Sequence, residues 1–177
     1  MKTEYEVRVL EINPEEMIKK LEDLGATKNG EYDQKRYTYD LNPKDQAKWI
    51  RLRTNGEVTT LTLKNIENTT ITGTKELEIE VSSFEDTQEL LERIGFKYKA
   101  YQENKRIQYI LDGVELDIDT WPLIPTYMEI EGKSVEDVEK IIEKLELDRS
   151  KITSLDVKAV YDKKYGIDID EIPHLKF

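Results

Sequence analysis

The sequence predicts an α+β protein: an eight-stranded antiparallel closed β-barrel, forming a tunnel, with helices packed outside. Three observations lead there. Charged and apolar residues alternate over several short stretches, the period of a half-buried strand. Two tight-turn signals, Asn55-Gly56 and Asp112-Gly113, each join a pair of such stretches. Between strands, segments that begin with capping residues carry apolar stripes at helical spacing.

Residues 3–11 alternate charged and apolar and open the chain as a strand. Asn13-Pro14-Glu15-Glu16 starts a helix, with Asn as N-cap, Pro in the first turn and early acids. Met17, Ile18, Leu21 and Leu24 form its stripe and Gly25 ends it. Residues 31–40, 48–54 and 57–65 read as strands, the last two joined by Asn55-Gly56. A polar loop at 66–73 leads to strand 75–82 and a helix at about 84–94. Strand 97–111 turns at Asp112-Gly113 into strand 114–120. Pro122 and Pro125 bracket a loop before strand 126–132, and Ser134-Val135-Glu136-Asp137 caps a third helix. A short helix at about 155–164 and an acidic tail finish the chain.

Composition narrows the chemistry. The 177 residues include 27 Lys and Arg against 38 Asp and Glu, a net charge of −11, and no break in composition divides residues 1–177, so a single domain is expected. That charge disfavours DNA as a partner, because such affinity rests on surplus Lys and Arg. There is no Cys and one His, which excludes disulfides and thiolate sites and nearly excludes a Ser-His-Asp triad. No apolar leader and no membrane-length apolar run occurs, so a cytoplasmic protein without a membrane partner is expected.

Residues two apart on a strand share a face. Glu4, Glu6 and Arg8 fall opposite Tyr5, Val7 and Val9; Arg51 and Arg53 are set opposite Trp49, Ile50 and Leu52. Lys64 with Thr62, the acids Glu76, Glu78 and Glu80, Arg106 with Gln108, the acids Glu115, Asp117 and Asp119, and the pair Glu129 and Glu131 make further polar faces. A solvated sheet would mix signs, because adjacent like charges repel. Here four strands carry acids in consecutive same-face positions. If helices cover the apolar faces outside, the charged faces line a shared interior, and an eight-stranded closed sheet leaves room for one small ligand. Acids and bases in one cavity suit a hard cation, Mg²⁺ or Mn²⁺, together with phosphate oxygens. No G-x-x-x-x-G-K-[ST] loop is present.

With these residues in view, the chain resembles the CYTH superfamily, the triphosphate tunnel metalloenzymes. The resemblance rests on Glu4-Tyr-Glu-Val-Arg8, Arg51-Leu-Arg53, Thr62-Leu-Lys64, Glu78-Ile-Glu80, Arg106, Leu-Asp117-Ile-Asp119 and Glu129-Ile-Glu131-Gly132, in the family's order. It implies a metal-dependent hydrolase acting on a small-molecule triphosphate: inorganic tripolyphosphate, thiamine triphosphate or a nucleoside triphosphate. It also implies Mg²⁺ or Mn²⁺ held by Glu4, Glu6, Glu129 and Glu131 with Asp117 or Asp119, a choice left open. Glu78 and Glu80 would serve a second metal or orient water. Arg8, Arg51, Arg53, Lys64 and Arg106 would bind phosphate, and Lys158 resembles a lysine that some members place over the tunnel mouth. Arg8 departs from the family's usual Lys, and an Arg, with a pKa above about 12, is no general base. The alternatives are a class IV adenylyl cyclase, making cyclic AMP and pyrophosphate, and a non-catalytic polyphosphate or nucleotide sensor. Tyr37, Tyr39 and Trp121 are the aromatic residues weighed for a base-stacking role, with packing favoured for each. A homodimer is left open.

Overall fold

The computed structural model describes residues 1–42 and 47–177. The chain runs β1 (Lys2–Thr3), β2 (Tyr5–Val9), α1 (Pro14–Asp23), β3 (Thr27–Asp40), β4 (Lys48–Thr54), β5 (Thr59–Ile66) and β6 (Thr74–Val81). It continues with α2 (Phe84–Arg93), β7 (Ala100–Leu111), β8 (Val114–Thr120), β9 (Tyr127–Gly132), α3 (Val135–Lys144), β10 (Ile152–Thr153), α4 (Val157–Tyr165) and β11 (His174–Leu175). Eight of these strands have five residues or more. The sheet order is β1-β6-β5-β4-β3-β7-β8-β9-β2-β10, with β11 added in parallel along β7.

Local chemistry accounts for the elements. Asn13, Ser83 and Ser134 each accept backbone N–H bonds at the start of α1, α2 and α3, and acids fill the first turn of each helix. Asn55 accepts from the N–H groups of Glu57 and Val58, and Gly56 takes the positive φ of +91° that the β4–β5 turn requires.

The sheet is antiparallel and barrel-like, but it is an open, curled half-barrel with ten strands along its path, in place of the expected closed ring of eight. The first strand is interrupted at Glu4: β1 pairs with β6 through Lys2↔Glu76 and Thr3↔Lys75, and β2 pairs with β9 at the other edge. Past that point the edges are bridged by single bonds, Glu4 N–H to Thr74 O at 3.0 Å and Glu6 N–H to Ile71 O at 3.4 Å.

Helices cover part of the outside. α1 and α3 set Leu21, Val138, Ile141 and Ile142 on Val7, Val9, Leu116, Met128 and Ile130 of β2, β8 and β9. Burying such side chains contributes about 1.5–3 kcal/mol each. α2 places Phe84 and Leu91 over Tyr39 and Leu52, and α4 places Val160 and Tyr161 against Leu10, Trp121 and Tyr127. The expected cover is incomplete: Leu77 and Ile79 on the outer face of β6 are each 54% exposed. Among the described residues no helix is long and apolar enough to cross a membrane.

Candidate functional site

The inward faces put charge in ladders. Across β2, β9 and β8 the register sets Glu6, Glu131 and Glu115 in one row and Arg8, Glu129 and Asp117 in the next. Across β4, β5 and β6 it sets Lys64 beside Glu76, Arg51 beside Thr62 and Glu78, and Arg53 beside Thr60 and Glu80. A cavity of about 170 Å³ lies between, with Glu6, Arg8, Arg36, Arg51, Lys64 and Lys158 among its lining.

On the acidic side two arginines bind carboxylates together. Arg8 donates to Glu129 (2.5 Å), to Glu6 Oε1 (3.3 Å) and to the backbone oxygen of Leu155 (2.7 Å). Arg106 pairs with Asp117, reaches Asp119 at 2.6 and 2.8 Å and meets Glu129 at 2.7 Å. Burial penalises the Glu129 carboxylate, yet Arg8 and Arg106 outweigh it and hold that carboxyl below the usual range. For Asp117 burial wins over Arg106, helped by Glu115, Asp119 and Glu129, and its carboxyl is pushed up to about 8. Three buried carboxylates sharing two guanidinium groups titrate as a set, and one proton shared among them relieves the excess charge. Glu131 is open to the channel but partly desolvated, with Glu6, Glu115, Glu129 and Glu76 as like-charged neighbours, and is pushed up to about 7.

The facing side is less balanced. Lys64 Nζ meets both oxygens of Glu4, at 2.9 and 3.0 Å, and Glu76 at 3.4 Å. Glu4 is pushed up to about 8 by burial, against Lys64, with Glu6 and Glu76 adding to the rise. Glu78 accepts from Thr62 at 2.5 Å and lies 3.3 Å from Arg51 and 3.9 Å from Arg53. Glu80 lies at the exposed end of β6. Lys158 of α4 pairs with Asp170, which also holds Lys99 at 2.9 Å.

Three guanidinium Nε–H groups in this channel, those of Arg8, Arg36 and Arg51, are buried and have no acceptor. Buried donors are nearly always paired, so three orphans in one cavity mark where an anion belongs. On the acid side Asp117 Oδ1 is the matching orphan; both Asp119 oxygens are engaged by Arg106.

Parity reading placed most of these side chains and misplaced some. Trp49 shares the inner face with Arg51, not the opposite one, because the two are two apart, and it lines the cavity with Asp40 and Lys158. Tyr37 and Tyr39 belong to the outer cluster under α2, while Trp121 is buried beneath Arg36 and borders the cavity. Glu76 and Glu115, read from the alternation as polar-face acids, join the site, and Arg36 joins it unforeseen. The signal for Arg36 was present: Gln34, Arg36, Thr38 and Asp40 are the polar partners of Lys35, Tyr37 and Tyr39 in the same alternation.

Fold and channel together define the class: a barrel-like α+β protein that concentrates charge of both signs in its interior. The CYTH domain profile matches residues 2–159, and the chain belongs to the CYTH family. No curated protein sequence matches it significantly. Among solved structures it is similar to the PH1012 protein from Pyrococcus horikoshii OT3, with 26% identity and a TM-score of 0.74 over 86% of this chain and 95% of that one. It is similar also to a candidate adenylate cyclase from Vibrio parahaemolyticus, with 12% identity and a TM-score of 0.76 over 91% and 98%. A third likeness is HpAC1 from Hippeastrum, a candidate adenylyl cyclase with a dominant triphosphatase activity, at 17% identity and a TM-score of 0.61 over 94% and 96%. At those two identities the likeness is one of fold.

Proposed function

We propose that the chain is a divalent-metal-dependent phosphohydrolase that takes a triphosphate into this channel. The observation that carries the reading is the trio of buried, acceptorless guanidinium Nε–H groups, those of Arg8, Arg36 and Arg51, lining one cavity. Arg8, Arg51, Arg53, Lys64 and Lys158 hold phosphoryl oxygens, the arginines by their forked donors. Arg106, already engaged by three carboxylates, chiefly orients them.

The donor chemistry fits a hard cation: carboxylate oxygens dominate the wall, and Asp117 Oδ1 is buried without a partner. Among the described residues no three carboxylates are gathered into a ready-made cage. That suits Mg²⁺ or Mn²⁺ shared with the substrate, since such ions take one or two carboxylates plus phosphate oxygens and waters. Glu4, Glu6, Glu129 and Glu131 are the remaining candidates, and of the two aspartates Asp117 is preferred. When bound, the cation neutralises phosphoryl charge. Glu78 and Glu80 orient the attacking water. Arg8, with its pKa raised against burial by Glu129 and Glu6, donates and does not accept a proton. Catalysis then rests on neutralisation and positioning.

A second reading, the class IV cyclase reaction, is favoured by Trp49 alone: an aromatic face lining the cavity, next to Asp40, could carry the base of ATP. HpAC1's dominant triphosphatase activity favours hydrolysis. The test is a panel of tripolyphosphate, thiamine triphosphate, ATP and GTP with Mg²⁺ or Mn²⁺, products identified by mass. Orthophosphate is expected; cyclic AMP would favour the cyclase, and binding without turnover the sensor. Glu6→Gln should lower turnover by roughly tenfold or more, about 1.4 kcal/mol of barrier per tenfold, with an unchanged melting temperature. Unchanged turnover would remove Glu6 from the site.

A further inference from the structure

Arg36 is an anomaly in charge. Its side chain is buried, and its register partner across β3 and β4 is another arginine, Arg53. Its guanidinium lies 4.5 Å from the centre of the Trp121 ring and donates to the amide oxygens of Gln34 and Asn104. Among the described residues no carboxylate lies within ion-pair reach of it, and its Nε–H has no acceptor at all. Burial, followed by the fields of Arg51, Arg53 and Arg106, lowers its pKa to about 9, and Arg51 together with burial lowers that of Arg53 to about 10. Both remain cationic at neutral pH, so the protein keeps two facing like charges in a partly desolvated place. A buried charge without a counter-ion is costly, and a like charge facing it adds to the cost, even though Arg53 has Glu78 at 3.9 Å. The buried amides of Gln34, Gln102 and Asn104 around Arg36 contribute no negative charge.

Position adds the rest. Along β4 the inward residues are Trp49, Arg51 and Arg53, with Lys64 level with Trp49. Arg53, and with it Arg36, is four residues from Trp49, roughly 13 Å along the strand. A phosphate chain entering past Trp49 meets Lys64 and Arg51 before it can touch Arg36.

We infer that Arg36 and Arg53 form a phosphoryl subsite that measures the length of the bound phosphate chain, holding the phosphoryl group farthest from Trp49. This rests on the triphosphate reading and assigns Arg36 a binding role within it. The forked guanidinium, steadied on the Trp121 face, presents Nε–H and one terminal nitrogen to an oxyanion, and that oxyanion cancels the Arg36–Arg53 repulsion. A diphosphate held at Lys64 and Arg51 stops short of this pair, whereas a triphosphate reaches it.

Calorimetric titration of the full chain with pyrophosphate and with tripolyphosphate, each with and without Mg²⁺, tests the subsite. Wild type should bind tripolyphosphate at least tenfold tighter than pyrophosphate, and in Arg36→Met that ratio should fall to within about twofold, with pyrophosphate affinity nearly unchanged. Should Arg36→Met fail to fold, Arg36→Gln leaves an amide to bond Asn104 and gives the same readout. A wild-type ratio near one, a ratio retained in the variant, or an equal loss for both ligands would each overturn the subsite. Failure of the wild type to bind either ligand would instead overturn the triphosphate reading itself.

Discussion

The two walls of the channel handle their charge in opposite ways. On the wall of β2, β8 and β9, Arg8 and Arg106 reach across strands and tie Glu129, Asp117 and Asp119 into one network, backed by the core under α1 and α3. On the wall of β3, β4 and β5 the guanidinium groups are less well matched: among the described residues Arg36 has no carboxylate partner, and Arg51 and Arg53 share Glu78, with Glu76 4.0 Å from Arg51. On one wall the arginines are taken up by the protein's own acids; on the other they are left in part for a ligand to neutralise. The difference implies that stability and binding are lodged on different sides of one cavity.

Arg106→Met is the harshest test of that division. It strands the buried Asp117 and Asp119 and leaves Glu129 to Arg8 alone, and breaking a buried network by removing one partner costs about 3–5 kcal/mol. Arg51→Met, on the facing wall, should cost under about 1 kcal/mol, since Glu78 keeps Thr62 and Arg53 nearby, while tripolyphosphate affinity drops. Urea unfolding of both variants checks this, and equal destabilisation would erase the distinction between the walls.

Acidity sharpens it next. The carboxyl of Asp117 rises from 3.8 to about 8 in the folded chain, chiefly through burial. Between those values the folded state holds a proton that the unfolded chain has released, so this group favours folding in acid and loses its effect as pH rises through about 8. Glu129, held low by Arg8 and Arg106, has the opposite sign: its contribution persists at neutral pH and disappears only in strong acid. Arg36, lowered to about 9 by burial and its neighbouring arginines, disfavours folding below that pH and relents above it. Between pH 5 and 8 the raised carboxyls of Asp117, Glu4 and Glu131 all vary, each with this sign, and the metal-free protein should lose stability on the order of a few kcal/mol as pH rises. Urea midpoints measured with a chelator present check the sign; a rising midpoint would contradict a shared proton on the acidic wall.

How much of this was legible in the sequence follows from the same contrast. Strand faces obey a strict period of two, so Glu4, Glu6, Glu129, Glu131, Asp117 and Asp119 could be assigned inward from the alternation alone. Which acid pairs with which base could not, where that depends on register between strands distant in sequence, as for Arg8 and Arg106 with Glu129. Arg36 was missed because its strand, Thr27–Asp40, is polar on both faces and the alternation is faint. The open half-barrel was equally hidden: alternation says that a strand has an inner face, not whether the chain breaks at Glu4.

The outer surfaces of the two walls give the smallest and most discriminating test. Behind the acidic wall Leu116 is fully buried, and Leu116→Ala should cost about 2–5 kcal/mol. At the far end of the basic wall, Leu77 and Ile79 of β6 face outward with no helix above them. Leu77→Lys should therefore change stability by no more than about 0.5 kcal/mol, the range of ordinary surface substitutions. A cost above about 2 kcal/mol, accompanied by a fall in mass by sedimentation, would mean that a second copy of the chain covers β6 in solution. The basic wall would then owe its support to a partner, as the acidic wall owes its own to α1 and α3.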